Sequence, residues 1–130
     1  MAGLLDGKVA LVTGGGAGIG ESAALALSRD GAKVVVCDVD TNGGADTVQQ
    51  IEAAGGEALF VEADVSRAVD VKALVARAIK RFGAINCAIN NAGIQGEVGT
   101  TDQCGEDNWN RIIAINLTGV WLCMKYEIQQ

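Results

Sequence analysis

The chain has no histidine and no proline among its 130 residues. Without histidine, Ser-His-Asp and Cys-His catalysis have no base, and the common zinc sites lose a ligand type. The four cysteines, Cys37, Cys87, Cys104 and Cys123, show no Cys-x-x-Cys spacing, so no metal site is expected. Without proline, nothing in the chain marks a linker or a domain boundary, and a single domain over 1–130 is expected. Basic residues are few: 10 Lys and Arg stand against 16 Asp and Glu, a net charge of −6. An acidic chain with no basic cluster argues against nucleic acid and against anionic membrane surfaces as partners. No apolar run reaches the roughly 18 residues that a membrane span needs. The opening stretch MAGLLDGKVALV has no basic region of the signal-peptide kind. A cytoplasmic protein is the expectation.

What is present is apolar and rich in glycine. Hydrophobic residues make up 49% of the chain, enough to specify a packed core rather than disorder. Val9, Ala10, Leu11 and Val12 form a short branched run with the character of a buried strand. The run breaks at Thr13 into the glycines of GGGAGIG, with Gly14, Gly18 and Gly20 at the spacing Gly-x-x-x-Gly-x-Gly, and a helical pattern follows. Strand, glycine turn and helix in that order let a pyrophosphate approach the backbone and sit on the free N–H groups of a helix N-terminus. A second apolar run, Val34 to Cys37, ends in Asp38, eighteen residues past Gly20. A dinucleotide fingerprint places an acid about 20 residues on, where it accepts hydrogen bonds from the adenosine ribose. An acid at a strand end is also an ordinary turn former.

The same alternation continues along the chain. Strands are expected at 8–13, 33–38, 58–63 and 84–90, with helices at 18–29 and 41–54 and a third ending at 82. Ser66 is the expected N-cap of that third helix. Its Val71, Leu74, Val75, Ala78, Ile79 and Phe82 form one apolar face. Strands alternating with helices imply right-handed crossovers and a parallel sheet. The fold class expected is therefore α/β, a Rossmann-type doubly wound parallel sheet of strands one to four in the order 3-2-1-4. Cys37 and Cys87 lie in strand runs, where free cysteine behaves as a small core residue. A last helix is expected from Trp109 to Ile128, apolar on most sides. Within it Asn116 has Ile112, Ile113 and Val120 as helical neighbours, so its amide needs a partner: a backbone carbonyl, a water or a ligand.

Thr13 to Gly20, together with Asn90-Asn91-Ala92-Gly93 at the end of the fourth strand, resembles the short-chain dehydrogenase/reductase family. The resemblance runs from Asp6-Gly7-Lys8 to the end of the chain. It implies a nicotinamide cofactor held by Gly14, Gly16, Ala17, Gly18, Ile19 and Gly20 at the turn, and by Asp38 and Val39 at the ribose. It also implies Asp64 and Val65 at the adenine, and Asn90, Asn91, Ala92 and Gly93 along the adenosine side. Asp64 read alone is equally a strand-end turn. Ile115-Asn116-Leu117-Thr118-Gly119 matches the family segment that carries a catalytic Asn, which holds a water leading to the catalytic lysine. Asp38, with no arginine at 39–44 and no basic residue in the glycine turn, favours NAD over NADP, because a 2′-phosphate would meet a carboxylate.

The resemblance is incomplete in one respect. The family reaction uses a Ser and a Tyr-x-x-x-Lys to take a proton from an alcohol as hydride passes to the nicotinamide. The single tyrosine here, Tyr126, is followed four residues later by Gln130 rather than lysine, and reads as structural. Three alternatives stay open. The chain is the N-terminal half of a longer NAD-dependent enzyme acting on a small alcohol or ketone, with the missing residues beyond Gln130. Or it is a non-catalytic NAD-binding module completed by another chain. Or it is a purely structural chain. In the first case the apolar 109–128 helix is expected to form a homo-oligomer contact. The substrate stays open, although the stretch from Asn91 to Gln130 most resembles bacterial members acting on glucose or cyclic alcohols.

Overall fold

The computed structural model describes residues 2–130. Its elements are β1 (Val9–Thr13), α1 (Gly18–Arg29), β2 (Lys33–Asp38), α2 (Thr41–Ala53), β3 (Ala58–Glu62), α3 (Ala68–Phe82) and β4 (Cys87–Asn90). They are followed by a 3-10 turn (Thr101–Gln103), α4 (Glu106–Ile113), a π-helical turn (Ala114–Thr118) and α5 (Gly119–Gln129). The sheet is parallel with the order β3-β2-β1-β4. The Rossmann-type class and strand order expected from the alternating apolar runs are those observed.

Each face of the sheet carries its own core. Val9, Leu11, Val35, Cys37 and Val61 pack with Val71, Leu74 and Ala78 of α3 and with Leu122 and Cys123 of α5. Ala10, Val12, Val34 and Val36 pack on the other face with Ala24 of α1 and Ile51 of α2. Alternate residues of one strand thus enter opposite cores, so β1 is buried throughout, as a central parallel strand must be. The register pairs Thr13 with both Cys37 and Asn90, which brings the carboxyl ends of β1, β2 and β4 level. The strand order reverses between β1 and β4, and open α/β sheets take their ligands at such a point.

Three local expectations are corrected. Ser66 does not cap α3: its N–H and hydroxyl both donate to Asp64 Oδ1, at 2.9 and 2.6 Å, and the helix begins at Ala68. The 109–128 helix is not one regular helix. It starts earlier, at Glu106, and a π-helical turn around Asn116 divides it. Its outer side carries the exposed Trp109, Leu117, Trp121, Met124 and Ile128. β4 is shorter than expected, beginning at Cys87; before it, the backbone of Ile85 is engaged by the side chain of Gln130 at 3.1 and 2.8 Å rather than by a strand. Among the described residues no helix is long and apolar enough to cross a membrane.

Candidate cofactor site

A cavity of about 550 Å³ opens at the carboxyl ends of the strands. Ten of the residues singled out in the sequence line it: Gly14, Ala17, Ile19, Asp38, Val39, Asp64, Val65, Asn91, Ala92 and Gly93. They come from four separate loops, brought to one edge by the parallel register.

The glycine turn forms one wall. Gly14 has φ of +64°, and a Cβ there would lie 2.8 Å from Asn91 Nδ2 and 2.9 Å from Ala92 Cα. At Gly20 a Cβ would run into the carbonyl oxygen of Gly14, so the start of α1 can close onto β1 only through glycine. Ala17 occupies the N-cap of α1 and brings no side-chain cap. The N–H groups of Gly18, Ile19 and Gly20 have no partner among the described residues. A helix start of this kind carries free donors and the positive end of the helix dipole. These donors fit an anionic phosphate group.

The opposite wall is acidic. Asp38 Oδ2 accepts from the Gly16 N–H at 2.8 Å, and its Oδ1 accepts from the Asp40 N–H at 3.0 Å. The acid thus secures the glycine turn and keeps its charge at the rim. Asp64 is built into its own turn, accepting twice from Ser66 while its N–H donates to Asp70 Oδ2 at 3.0 Å.

The 90–93 turn is tied to β1. Asn91 Nδ2 donates to the carbonyl oxygens of Thr13 and Gly14 at 3.2 Å, and the Ala92 N–H donates to Thr13 Oγ1 at 3.1 Å. Asn90 lies apart from the cavity lining and donates instead to Glu127 Oε1 at 2.9 Å. Gly16, Gly18 and Gly20 sit within the turn rather than on the cavity surface. Asn116 is also outside the lining, and it makes a two-way bond with the backbone of Ile94. Its Oδ1 accepts from the Ile94 N–H, and its Nδ2 donates to the Ile94 carbonyl, each at 2.8 Å. The partner expected for its amide is thus a backbone group 22 residues upstream. A π turn at such a place is a frequent mark of a functional site.

Five lining residues were not anticipated: Cys37, Ala63, Ile94, Arg111 and Ile115. Cys37 and Ala63 directly adjoin Asp38 and Asp64, so adjacency to the expected acids was the available signal. Arg111 and Ile115 stand one helical turn apart, but their facing depends on how α4 docks. Arg111 is the one cationic side chain among the described residues of the lining. Burial, with smaller contributions from Cys123 and the acids nearby, pushes the Cys37 thiol up to about 12, so it is a neutral wall group. Tyr126 lies elsewhere, on α5 against the core, with Lys72 and Lys125 each 5.4 Å from its ring centre.

The family model described as short chain dehydrogenase matches residues 8–130. The chain belongs to this family. It is 42% identical over 127 residues to the short chain dehydrogenase/reductase astE of Aspergillus oryzae, covering 97% of this chain and 49% of that protein. It is 42% identical over 128 residues to cyclohexanol dehydrogenase of an Acinetobacter species, covering 98% of this chain and 51% of that one. Among solved structures, NAD+-bound xylitol dehydrogenase superposes with a TM-score of 0.95 at 31% identity, covering 98% of this chain and 49% of that chain. A family member from Burkholderia phymatum in complex with NAD gives 0.93 at 35% identity, over 96% and 44%. The chain spans about half the length of the curated relatives it matches.

Proposed function

We propose that this chain is the NAD-binding part of an oxidoreductase that transfers hydride between NAD(H) and a small alcohol or ketone. One observation carries the reading. The uncapped start of α1 stands behind a glycine turn and opens, with Asp38 opposite, into a cavity of about 550 Å³. Free N–H donors and the helix dipole would receive the pyrophosphate. Asp38 would accept hydrogen bonds from the adenosine ribose and repel a 2′-phosphate. Val39, Asp64, Val65, Ile115 and the 91–93 turn would enclose the adenosine half. NAD, when bound, supplies the hydride acceptor. Asn116 holds the backbone of Ile94, a residue of the cavity lining. The NAD-bound relatives support this assignment.

The alcohol-or-ketone substrate rests on the family and on relatives such as the cyclohexanol dehydrogenase. The protein as its source makes it should reduce NAD in the presence of cyclohexanol or a related cyclic alcohol. Binding of NAD without turnover of any alcohol would favour the second reading, a non-catalytic NAD-binding module. We further propose a homo-oligomer through the 106–129 helices, whose exposed Leu117, Trp121 and Ile128 offer an apolar face.

A further inference from the structure

Among the described residues two buried side-chain atoms have no hydrogen-bond partner, and they belong to two residues already bonded to each other. The atoms are Asn90 Oδ1 and Glu127 Oε2. The existing bond runs from Asn90 Nδ2 to Glu127 Oε1 at 2.9 Å. Glu127 is 9% exposed, on the side of α5 that faces the sheet. Buried polar atoms are rarely left unpaired, and a charged carboxylate with an open oxygen is the costly case. Two acceptors cannot satisfy each other, but a single proton between them can. A neutral carboxylic acid carries one O–H donor beside its carbonyl acceptor. An acid and a primary amide can therefore pair through two bonds at once.

We infer that Glu127 is held as the neutral acid, donating its proton to Asn90 Oδ1 while accepting from Asn90 Nδ2, and that this two-point pair positions the 91–93 turn of the cofactor site. Glu127 is thus a positioning residue, acting through Asn90. The inference rests on the cofactor reading above only in its second half.

The surroundings agree. β4 brings the neutral Asn90, while Cys87 packs on the other face of the sheet. The π turn brings no titratable group. α5 brings Cys123, one turn earlier, and Lys125; α3 brings Lys72. Both lysines lie over the Tyr126 ring, and among the described residues no cation pairs with Glu127. Burial moves the carboxyl above the ordinary glutamate range, and the bond from Asn90 opposes this only in part. Asn90 is followed directly by Asn91 and Ala92, which are anchored to Thr13 and Gly14. The turn is therefore held from β1 on one side and from α5 on the other. Loss of the proton leaves one bond and sets a negative oxygen in the same pocket as the Asn90 carbonyl oxygen. The turn then loosens.

The experiment takes the protein as its source makes it, in wild-type, Glu127→Gln and Glu127→Ala forms. Carbon-13 NMR of the Glu127 carboxyl, assigned by its loss in Glu127→Gln, follows the proton directly in the wild type. NAD titrations from about pH 5 to about pH 9 follow the site. A glutamine can reproduce both bonds of the neutral acid, so Glu127→Gln should bind NAD like the wild type at low pH and show no weakening as pH rises. Wild-type affinity should fall as the Glu127 resonance titrates, and Glu127→Ala should bind about fivefold more weakly at low pH, the loss of one hydrogen bond or more. A resonance titrating in the ordinary glutamate range would overturn the inference. So would a Glu127→Gln protein whose NAD affinity matches that of Glu127→Ala. If no variant binds NAD at any pH, the cofactor reading fails, while the NMR titration still decides the state of Glu127.

Discussion

Asp38 and Gly16 are joined by a 2.8 Å hydrogen bond from the glycine N–H to carboxylate Oδ2. The acid at the end of β2 thus both fixes the glycine turn at the end of β1 and leaves negative charge at the cavity rim. The two tasks can be separated. Asp38→Asn can still accept from Gly16 but loses the charge. It should raise NADP affinity relative to NAD by about tenfold or more, since a like-charge contact at about 4 Å costs from about 1 kcal/mol in bulk water to about 4 kcal/mol near a protein surface. Paired titrations with the two cofactors read the ratio directly.

Gly20 touches the chain where no side chain fits. A methyl group there would meet the Gly14 carbonyl oxygen, which is backbone and cannot turn aside. Gly20→Ala should push α1 off β1, lowering stability by about 1–3 kcal/mol, the usual cost of forced overpacking. NAD binding should be lost with it. Urea unfolding and a cofactor titration check the two effects separately.

The four cysteines should react in a set order. Cys104 is exposed, Cys87 is half-buried with its thiol raised by burial, and Cys37 and Cys123 are both pushed up to about 12, chiefly by burial. A maleimide at neutral pH should label Cys104 first, then Cys87. It should reach Cys37 and Cys123 only after unfolding, since the thiolate is the reactive form. Peptide mapping by mass spectrometry gives the order.

Stability should carry a signature of Glu127. Its carboxyl is raised by burial in the fold, so the folded state holds a proton that the unfolded chain gives up at lower pH. The contribution is complete below the ordinary glutamate range and is lost as pH rises through the higher folded value. Thermal unfolding should show stability falling over that window in the wild type. Glu127→Gln should remove this component of the pH dependence.

The helices from 106 to 129 expose Trp121, Leu117 and Ile128. Trp121→Glu should shift the proposed oligomer toward monomer in light scattering, because a charge in a buried apolar contact is costly.

The sheet was legible in the sequence for a physical reason. Buried parallel strands must be short branched runs, and Val9 to Val12 and Val34 to Val36 are such runs. The glycine turn was legible because a close backbone approach admits only glycine, and the acid at the end of β2, Asp38, is the one the parallel register brings against that turn. Ser66 misled because capping rules weigh a side chain against its own helix, whereas here Asp64 captures both its donors. The π turn at Asn116 and the bond of its side chain to Ile94, 22 residues upstream, lie beyond any local sequence rule. Arg111 escaped for a similar reason, since nothing local to α4 says which face meets the cavity. The Asn90–Glu127 pair joins residues 37 apart on different elements, and no spacing rule reaches it.

The most direct test is an equilibrium titration of the purified, folded protein with NAD and with NADP under the same conditions. The expected result is saturable binding of NAD at least about tenfold tighter than NADP, following from the carboxylate at Asp38. Equal affinities would contradict the assignment of Asp38, and no binding of either by a folded sample would contradict the cofactor site itself.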